Sequence, residues 1–387
     1  MSTISVCTEP GQQIIESLAS DARFVACRNF SQLNTLLFPW PDAWNELKKV
    51  ALYKSDVLVS QVPISGVGSL LSMNALHPFN AVEISSLGGA GVFHPLAWDA
   101  IKALGDGQIY AMPWLLNPFG IFYWRDMLEK AGVDESSAFS SFENMQETFA
   151  RLRASGVEYP WAHTTNSPRS AMIAACMWMW AAGGEIVSLD GRSVLFNQPA
   201  ALRGLKAYFE LASFIKINSK PTRDLINRQA VAMIGECSLS KNVRPENLPN
   251  LGVTTLPGST FVGGSCLVAW NHTLRNQASQ EIINFLLQKD ILLEYCTYAN
   301  DFPARLDAIS MPPFSTDPYL KAFSGMLERG RTFPITRASG ILQTKMIILI
   351  DQIWQALLAQ PSESLDTLFD KILQPEVARL NRLLVEY

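Results

Sequence analysis

The chain has 387 residues, more than one ordinary hydrophobic core accommodates, and suits two domains of conventional size. Hydrophobic residues make up 48% and charged residues 17%, a globular composition that excludes a disordered or fibrous chain. With 31 basic against 35 acidic side chains, a net charge of −4 and no Lys/Arg cluster to track a phosphate backbone, nucleic acid is not an expected partner.

Short apolar runs alternate with helical patterns in the first part of the chain. Residues 4–8, 24–27 and 56–60 read as strands, and residues 12–20, 44–53 and 64–73 as helices, the alternation of an α/β layer architecture. Ligands bind such sheets beyond the carboxyl ends of their strands, which nominates Thr8 and Glu9, then Gln61, then Trp114. The segment 107–132, GQIYAMPWLLNPFGIFYWRDMLEKAG, reads as a strand ending at Pro113-Trp114, an aromatic strand over 119–124, and a helix over 125–131 stopped by Gly132. A Trp just beyond a strand end offers a flat surface with an N–H handle, which suits the C–H faces and hydroxyls of a sugar.

Farther along, Ser140 with Glu143 predicts a capping box for a helix running toward Ala154. Trp178 and Trp180, two residues apart, point roughly 160° apart around a helix axis, so one at most can face a ligand; Met172, Ala175, Cys176 and Met179 mark the core stripe. Asp190-Gly191 between apolar runs predicts a hairpin, Asn197 a helix start, and residues 230–235 (AVAMIG) a strand. Residues 261–270 read as a strand containing the permissive Gly263-Gly264 pair, residues 276–299 as helix, and the stretch from about 317 onward as helices.

Chemistry-bearing signals are thin. The six cysteines, at 7, 27, 176, 237, 266 and 296, form no C-x-x-C pair, and His77, His94, His163 and His272 lack metal-ligand spacing, so neither metal nor cofactor is expected. Dispersed cysteines fit a reducing compartment more comfortably than an oxidising one. No G-x-S-x-G, H-E-x-x-H or phosphate-cradling loop occurs. The longest nearly continuous apolar stretch, residues 171–182, falls short of the roughly 20 residues that span a bilayer, so no transmembrane segment is expected. Residues 1–11 lack the basic start and apolar run of a secretory signal. Hydroxyls stripped of water need replacement hydrogen bonds, for which Glu9, Gln61, Asn117, Glu236 and Asp301 are candidates, with Arg169 or Arg305 as possible cationic contributors.

Six stretches in order, DVLVSQVPISGVGSLLSMNALHPF at 56–79, the 110–132 crossover, WMWAAGGEIVSLDGRSVLF at 178–196, AVAMIG at 230–235, FVGGS at 261–265 and DFPAR at 301–305, resemble the extracellular solute-binding proteins of sugar ABC importers, the maltose-binding-protein-like family. The resemblance implies an α/β, two-lobed periplasmic-binding-protein-like architecture with a hinged interlobe cleft. It implies lobe I from 1–111 plus 262–306 and lobe II from 112–261 plus 307–387, with hinge crossings near Met112, Val262 and Leu306. The expected activity is capture of a carbohydrate or related polyol without chemistry, by Glu9, Gln61, Trp114, Asn117, Trp178, Glu236, Gly264 and Asp301, for delivery to an ABC transporter permease if the protein is exported. Periplasmic or extracellular location follows from the family, and cytoplasmic location from the sequence as it stands. Glu236-Cys237 departs from the family, where an aromatic often follows this strand. Two other functions are compatible with the residues: a cytoplasmic solute sensor on the same fold, and a glycoside hydrolase using Glu9 with Glu236.

Overall fold

A computed structural model describes all residues except Met1, 28–31, Pro41, 103–106, 164–166, 218–219, Pro257, 274–275, Arg337 and 385–387. Among the described residues the strands are β1 (Ser2–Val6), β2 (Leu33–Leu37), β3 (Val59–Pro63), β4 (Met112–Trp124), β5 (Trp161–Ala162), β6 (Ala232–Glu236), β7 (Leu251–Thr254), β8 (Thr260–Ala269), β9 (Phe302–Pro303) and β10 (Gly330–Arg331). The chain forms two compact units. The first comprises 1–117, 263–321 and 332–340, and the second 118–262, 322–331 and 341–387. These divisions differ from the expected ones at 112–117, the first half of the continuous strand β4, and more extensively at 307–321 and 332–340, which also fall in the first unit.

In the first unit β1 lies between β2 and β3, parallel to both, with Ile4 opposite Thr35 and Val59. β8 runs antiparallel to β3, Gln61 facing Leu267, and the first half of β4 pairs with β9. Ile4, Val6, Val59, Val62, Leu267 and Val268 are completely buried, as apolar strand residues between covering layers should be. Arg305 ties this unit together: its guanidinium donates to the Leu87 carbonyl at 3.0 Å, the Leu287 carbonyl at 3.1 Å and both carboxylate oxygens of Asp307. That role leaves Arg305 9% exposed and commits it to structure.

In the second unit the other half of β4 sits between β6 and β7, antiparallel to both, and β5 runs parallel to β6 with Ala162 opposite Met233. Pro118 lacks an N–H, which a mid-strand position normally requires. It falls where β4 exchanges β9 for β6 as its partner, between Leu116 and Phe119.

Several local expectations shift. Residues 24–27 belong to a helix, Ala22–Cys27, whose entry is held by the Asp21 carboxylate accepting from the Arg23 backbone N–H at 2.7 Å; the second strand is β2 instead. Ser141, not Ser140, caps the Phe142–Ala154 helix, accepting from the Asn144 N–H at 3.1 Å. Gln198, not Asn197, precedes Pro199–Glu210, because the Asn197 amide bonds Gln374 at 3.1 Å. Residues 276–299 form two helices, Asn276–Leu286 and Lys289–Ala299. The 190–191 turn does close a hairpin, with Val187 opposite Val194. The Ser339–Ala359 helix, within the stretch read as helices, is long and apolar enough to cross a membrane by length and composition, which the expectation of no transmembrane segment did not foresee. Its Leu342, Met346, Leu349, Ile350, Ile353 and Trp354 recur at helical spacing and are buried, the pattern of a core helix, while Lys345 pairs with Glu376 at 3.0 Å.

A buried polar knot fastens the second unit. Tyr208 donates its hydroxyl proton to the Ala171 carbonyl and accepts from the Trp354 indole N–H, both at 3.1 Å, and His163 Nε2 lies 3.1 Å from the same oxygen. With the one hydroxyl proton committed to Ala171, the neutral imidazole must carry its proton on Nε2. Burial pushes the His163 imidazole down to about 4. The unfolded chain therefore binds a proton more readily than the folded one between pH 6.5 and about 4, and stability must fall as the pH drops through that window. The loss should reach about 3 kcal/mol. Urea unfolding across pH checks this against His163→Gln, which should be less stable overall but show a flatter slope in the same window; identical slopes would remove His163 as the cause.

Candidate functional site

Each unit presents the carboxyl ends of a parallel strand set, and polar residues collect there. In the first unit, β1 runs into Thr8, which caps the Glu9–Ala19 helix by accepting from the Gly11 N–H at 3.1 Å. Glu9 is the first helical residue and solvent-exposed, where the helix dipole favours its charge. Thr8 Oγ1 and the Tyr295 hydroxyl both crowd the space beside Gly11, the tyrosine hydroxyl has no hydrogen-bond partner among the described residues, and the Tyr295 ring packs against Trp114 with centroids 4.5 Å apart. Burial first, and the nearby Asp301 charge second, hold the Tyr295 hydroxyl well above the usual phenol range. Asp301 is half-buried and follows Asn300, which adopts the left-handed conformation. The structure thus brings Glu9, Trp114 and Asp301 into one neighbourhood through Thr8 and Tyr295.

Their roles differ from those expected. Trp114 is completely buried and serves as packing, not as an open stacking surface; its indole N–H has no partner among the described residues. Gln61 is 2% exposed, its amide oxygen accepting from the Cys7 N–H and its amide nitrogen donating to the Ser265 hydroxyl, both at 2.9 Å. A side chain whose two ends are so engaged braces β1, β3 and β8 and is not free for a ligand. Gly264, at φ +152°, lies against the Leu115 carbonyl so closely that a Cβ would collide with it, which explains the glycine structurally. Asn117 is half-buried at the end of the first unit's share of β4.

In the second unit, Trp178 is 1% exposed and packs against Trp161 and Tyr208, with ring centroids 6.1 and 5.4 Å away. Trp180 is buried too, stacked on Phe261 and capped by the Arg331 guanidinium at 4.8 Å. Every residue from Ala171 to Trp180 is buried, so neither indole of this helix faces solvent. Glu236 ends β6 with its side chain exposed. Arg169, also exposed, is the second residue of the Pro168–Ala181 helix that follows β5. Both are open to water on one side and crowded by protein on the others. Crowding pushes the Glu236 carboxyl up against the opposing pull of Arg169, and pushes the Arg169 guanidinium down against the opposing pull of Glu236.

Sequence reasoning missed Phe38, Trp40 and Tyr295. Phe38 follows β2 directly, its N–H donating to the Val6 carbonyl at 2.8 Å, and Phe38 and Trp40 are half-buried. The run LNTLLF before two prolines carried that signal, and the Ile291, Leu292, Tyr295 and Cys296 stripe carried the one for Tyr295. No group of three or more His, Cys, Asp or Glu side chains suited to a metal occurs among the described residues.

Paired α/β units with polar groups at their parallel strand ends define a binding-protein class of fold. The sequence profile described as bacterial extracellular solute-binding protein matches residues 30–322, and the chain belongs to that family. Binding proteins of Brucella abortus and Brucella suis are 23% identical over 245 residues, and the chain spans 59% of the length of these curated relatives. Among solved structures, the sugar-binding protein MalE from Xanthomonas citri is 17% identical with a TM-score of 0.82, covering 100% of this chain and 97% of that one. An ABC transporter solute-binding protein from Thermotoga lettingae bound with α-D-tagatose is 14% identical with a TM-score of 0.80, covering 99% of each. The GacH receptor of Streptomyces glaucescens, solved unliganded and with acarbose, is 16% identical with a TM-score of 0.77, covering 92% of this chain and 93% of that one. At these identities the likeness is one of fold.

Because Trp114 is core, Trp114→Ala should lower stability by about 3–5 kcal/mol, as truncation of a buried aromatic does, and Trp114→Phe should lose much less. Denaturant midpoints measure this, and an unchanged midpoint for the alanine variant would take Trp114 out of the core.

Proposed function

We propose that the protein is the solute-binding component of an ABC importer, capturing a carbohydrate or related polyol without chemical change. The carrying observation is the pair of strand-end surfaces, Thr8, Glu9 and Asp301 in one unit and Arg169 and Glu236 in the other, on a chain that belongs to a solute-binding family. At either surface, ligand hydroxyls replace the water around these groups. The tagatose- and acarbose-bound relatives in fold support a sugar as the ligand class. Delivery to a permease and an extracellular or periplasmic location follow from the same role.

One observation favours a second role. Cys7, Cys176, Cys237, Cys266 and Cys296 are all buried and form no disulfide among the described residues, which suits a reducing compartment and a cytoplasmic solute sensor. Fractionation of the native host separates the two roles, since an importer component must be recovered outside the cytoplasm.

Thermal unfolding of the purified protein across sugars, polyols, amines and carboxylates tests the ligand class. At a concentration 100 times Kd, a ligand should stabilise the native state by about 2.7 kcal/mol. Saccharides or polyols alone should raise the midpoint with dose, and should be recovered intact after prolonged incubation. A rise confined to amines or carboxylates overturns the carbohydrate assignment, and hydrolysed sugar overturns the non-enzymatic one.

A further inference from the structure

β2 ends the first unit's sheet on one side, and among the described residues it pairs with β1 alone. The Ser2 N–H donates to the Gln32 carbonyl at 3.1 Å and the Phe38 N–H to the Val6 carbonyl at 2.8 Å, which fixes how this strand is turned. Backbone groups along a strand point alternately to its two sides, so Gln32, Asn34, Leu36 and Phe38 face β1. Leu33, Thr35 and Leu37 therefore send both N–H and C=O outward. Every residue of β2 is at least partly exposed, Leu36 by 41%, whereas β1 beside it is buried except at Thr3. Soluble proteins usually guard such an edge with a lysine, a proline, a bulge or a covering segment. The sequence LNTLL has neither charge nor proline, and its register with β1 runs unbroken from Leu33 to Leu37.

The outward groups are symmetric about Thr35, and that symmetry selects the occupant. Laid antiparallel against a second copy with a two-fold axis at Thr35, Thr35 faces Thr35 and Leu33 faces Leu37 of the second copy, in both directions. Every outward N–H then meets a C=O, and none is left over. Side chains follow the same axis. Leu33 and Leu37 form an apolar cross-strand pair on one face, and on the other the exposed Leu36 is covered from across the seam. Above the strand, Gln12 donates to the Thr35 hydroxyl at 3.4 Å and that hydroxyl donates to Glu16 at 2.6 Å, so the two residues straddle the axis one helical turn apart. Rotation about it sets Gln12 of one copy opposite Glu16 of the other, an amide donor against a carboxylate acceptor. An unrelated extended peptide would satisfy the backbone but has no counterpart to this reciprocal pair. We infer that β2 is a homodimer interface, where two copies of this chain join edge to edge, antiparallel about Thr35, into one continuous sheet.

Sedimentation velocity of the full-length protein over a wide concentration range should show a reversible monomer–dimer equilibrium. Thr35→Pro removes an N–H that β1 does not use, and should weaken the dimer by about tenfold or more while the melting midpoint at low concentration stays near that of wild type. Leu36→Lys places a charge on the edge without touching the backbone, and should weaken the dimer likewise even if the proline disturbs the strand. Oxidative cross-linking reads the register. Thr35→Cys would stand about 5.5 Å from its counterpart between Cα atoms, within disulfide reach, and should give a covalent dimer. Leu33→Cys would stand roughly 13 Å from its own counterpart and, like wild type, should not. A protein that stays monomeric throughout overturns the interface, as does a dimer whose affinity neither Thr35→Pro nor Leu36→Lys changes. Cross-linking of Leu33→Cys as readily as Thr35→Cys overturns the antiparallel pairing about Thr35.

Discussion

The fold depends on one requirement of β4, that every buried backbone donor and acceptor along thirteen residues find a partner. The strand meets it by changing neighbours: Leu115 and Leu116 pair with β9, and Phe119 through Tyr123 with β6. Pro118, which cannot donate, occupies the change-over. A single strand thereby contributes to two compact units, and the rest of each sheet is assembled around its own half.

Within each unit the strand ends are held by interior groups rather than by surface ones. Gln61 uses both ends of its amide to lock β1 against β3 and β8 in the first unit. In the second, the Tyr208 hydroxyl gathers His163, the Ala171 carbonyl and Trp354, so the chain just past β5 is anchored to two helices. A buried polar group with all its partners rigidifies its surroundings, since each broken bond would leave an orphan in a medium without water. The exposed residues at the strand ends, Glu9, Arg169 and Glu236, are therefore carried on a stiff base.

Much of this was legible in the sequence, and the failures have physical causes. The β1 and β3 regions, the Glu9–Ala19 and Ala43–Tyr53 helices and the 190–191 hairpin follow from apolar period and turn chemistry. A four-residue apolar run such as 24–27 fits a strand or a helical turn equally, and Asp21 decided for the helix. Strand-end logic nominated Glu9, which stands just past β1 at the start of its helix, and Glu236, proposed as a polar partner, ends β6. Trp114, Gln61 and Trp178 turn inward, because whether an aromatic or amide faces outward is set by neighbours distant in sequence, namely Tyr295, Ser265 and Tyr208. Gly264 likewise owes its identity to a carbonyl nearly 150 positions away.

The interleaving of the two units governs how the chain can be made. The first unit takes residues 1–117 from the beginning of the chain and completes itself only with 263–321 and 332–340. A ribosome needs about 7 to 30 s to cover the intervening stretch, during which β1 and β3 exist without β8, and Gln61 without Ser265. The nascent amino-terminal segment therefore carries unpaired strand edges and apolar side chains for far longer than a local hairpin takes to close.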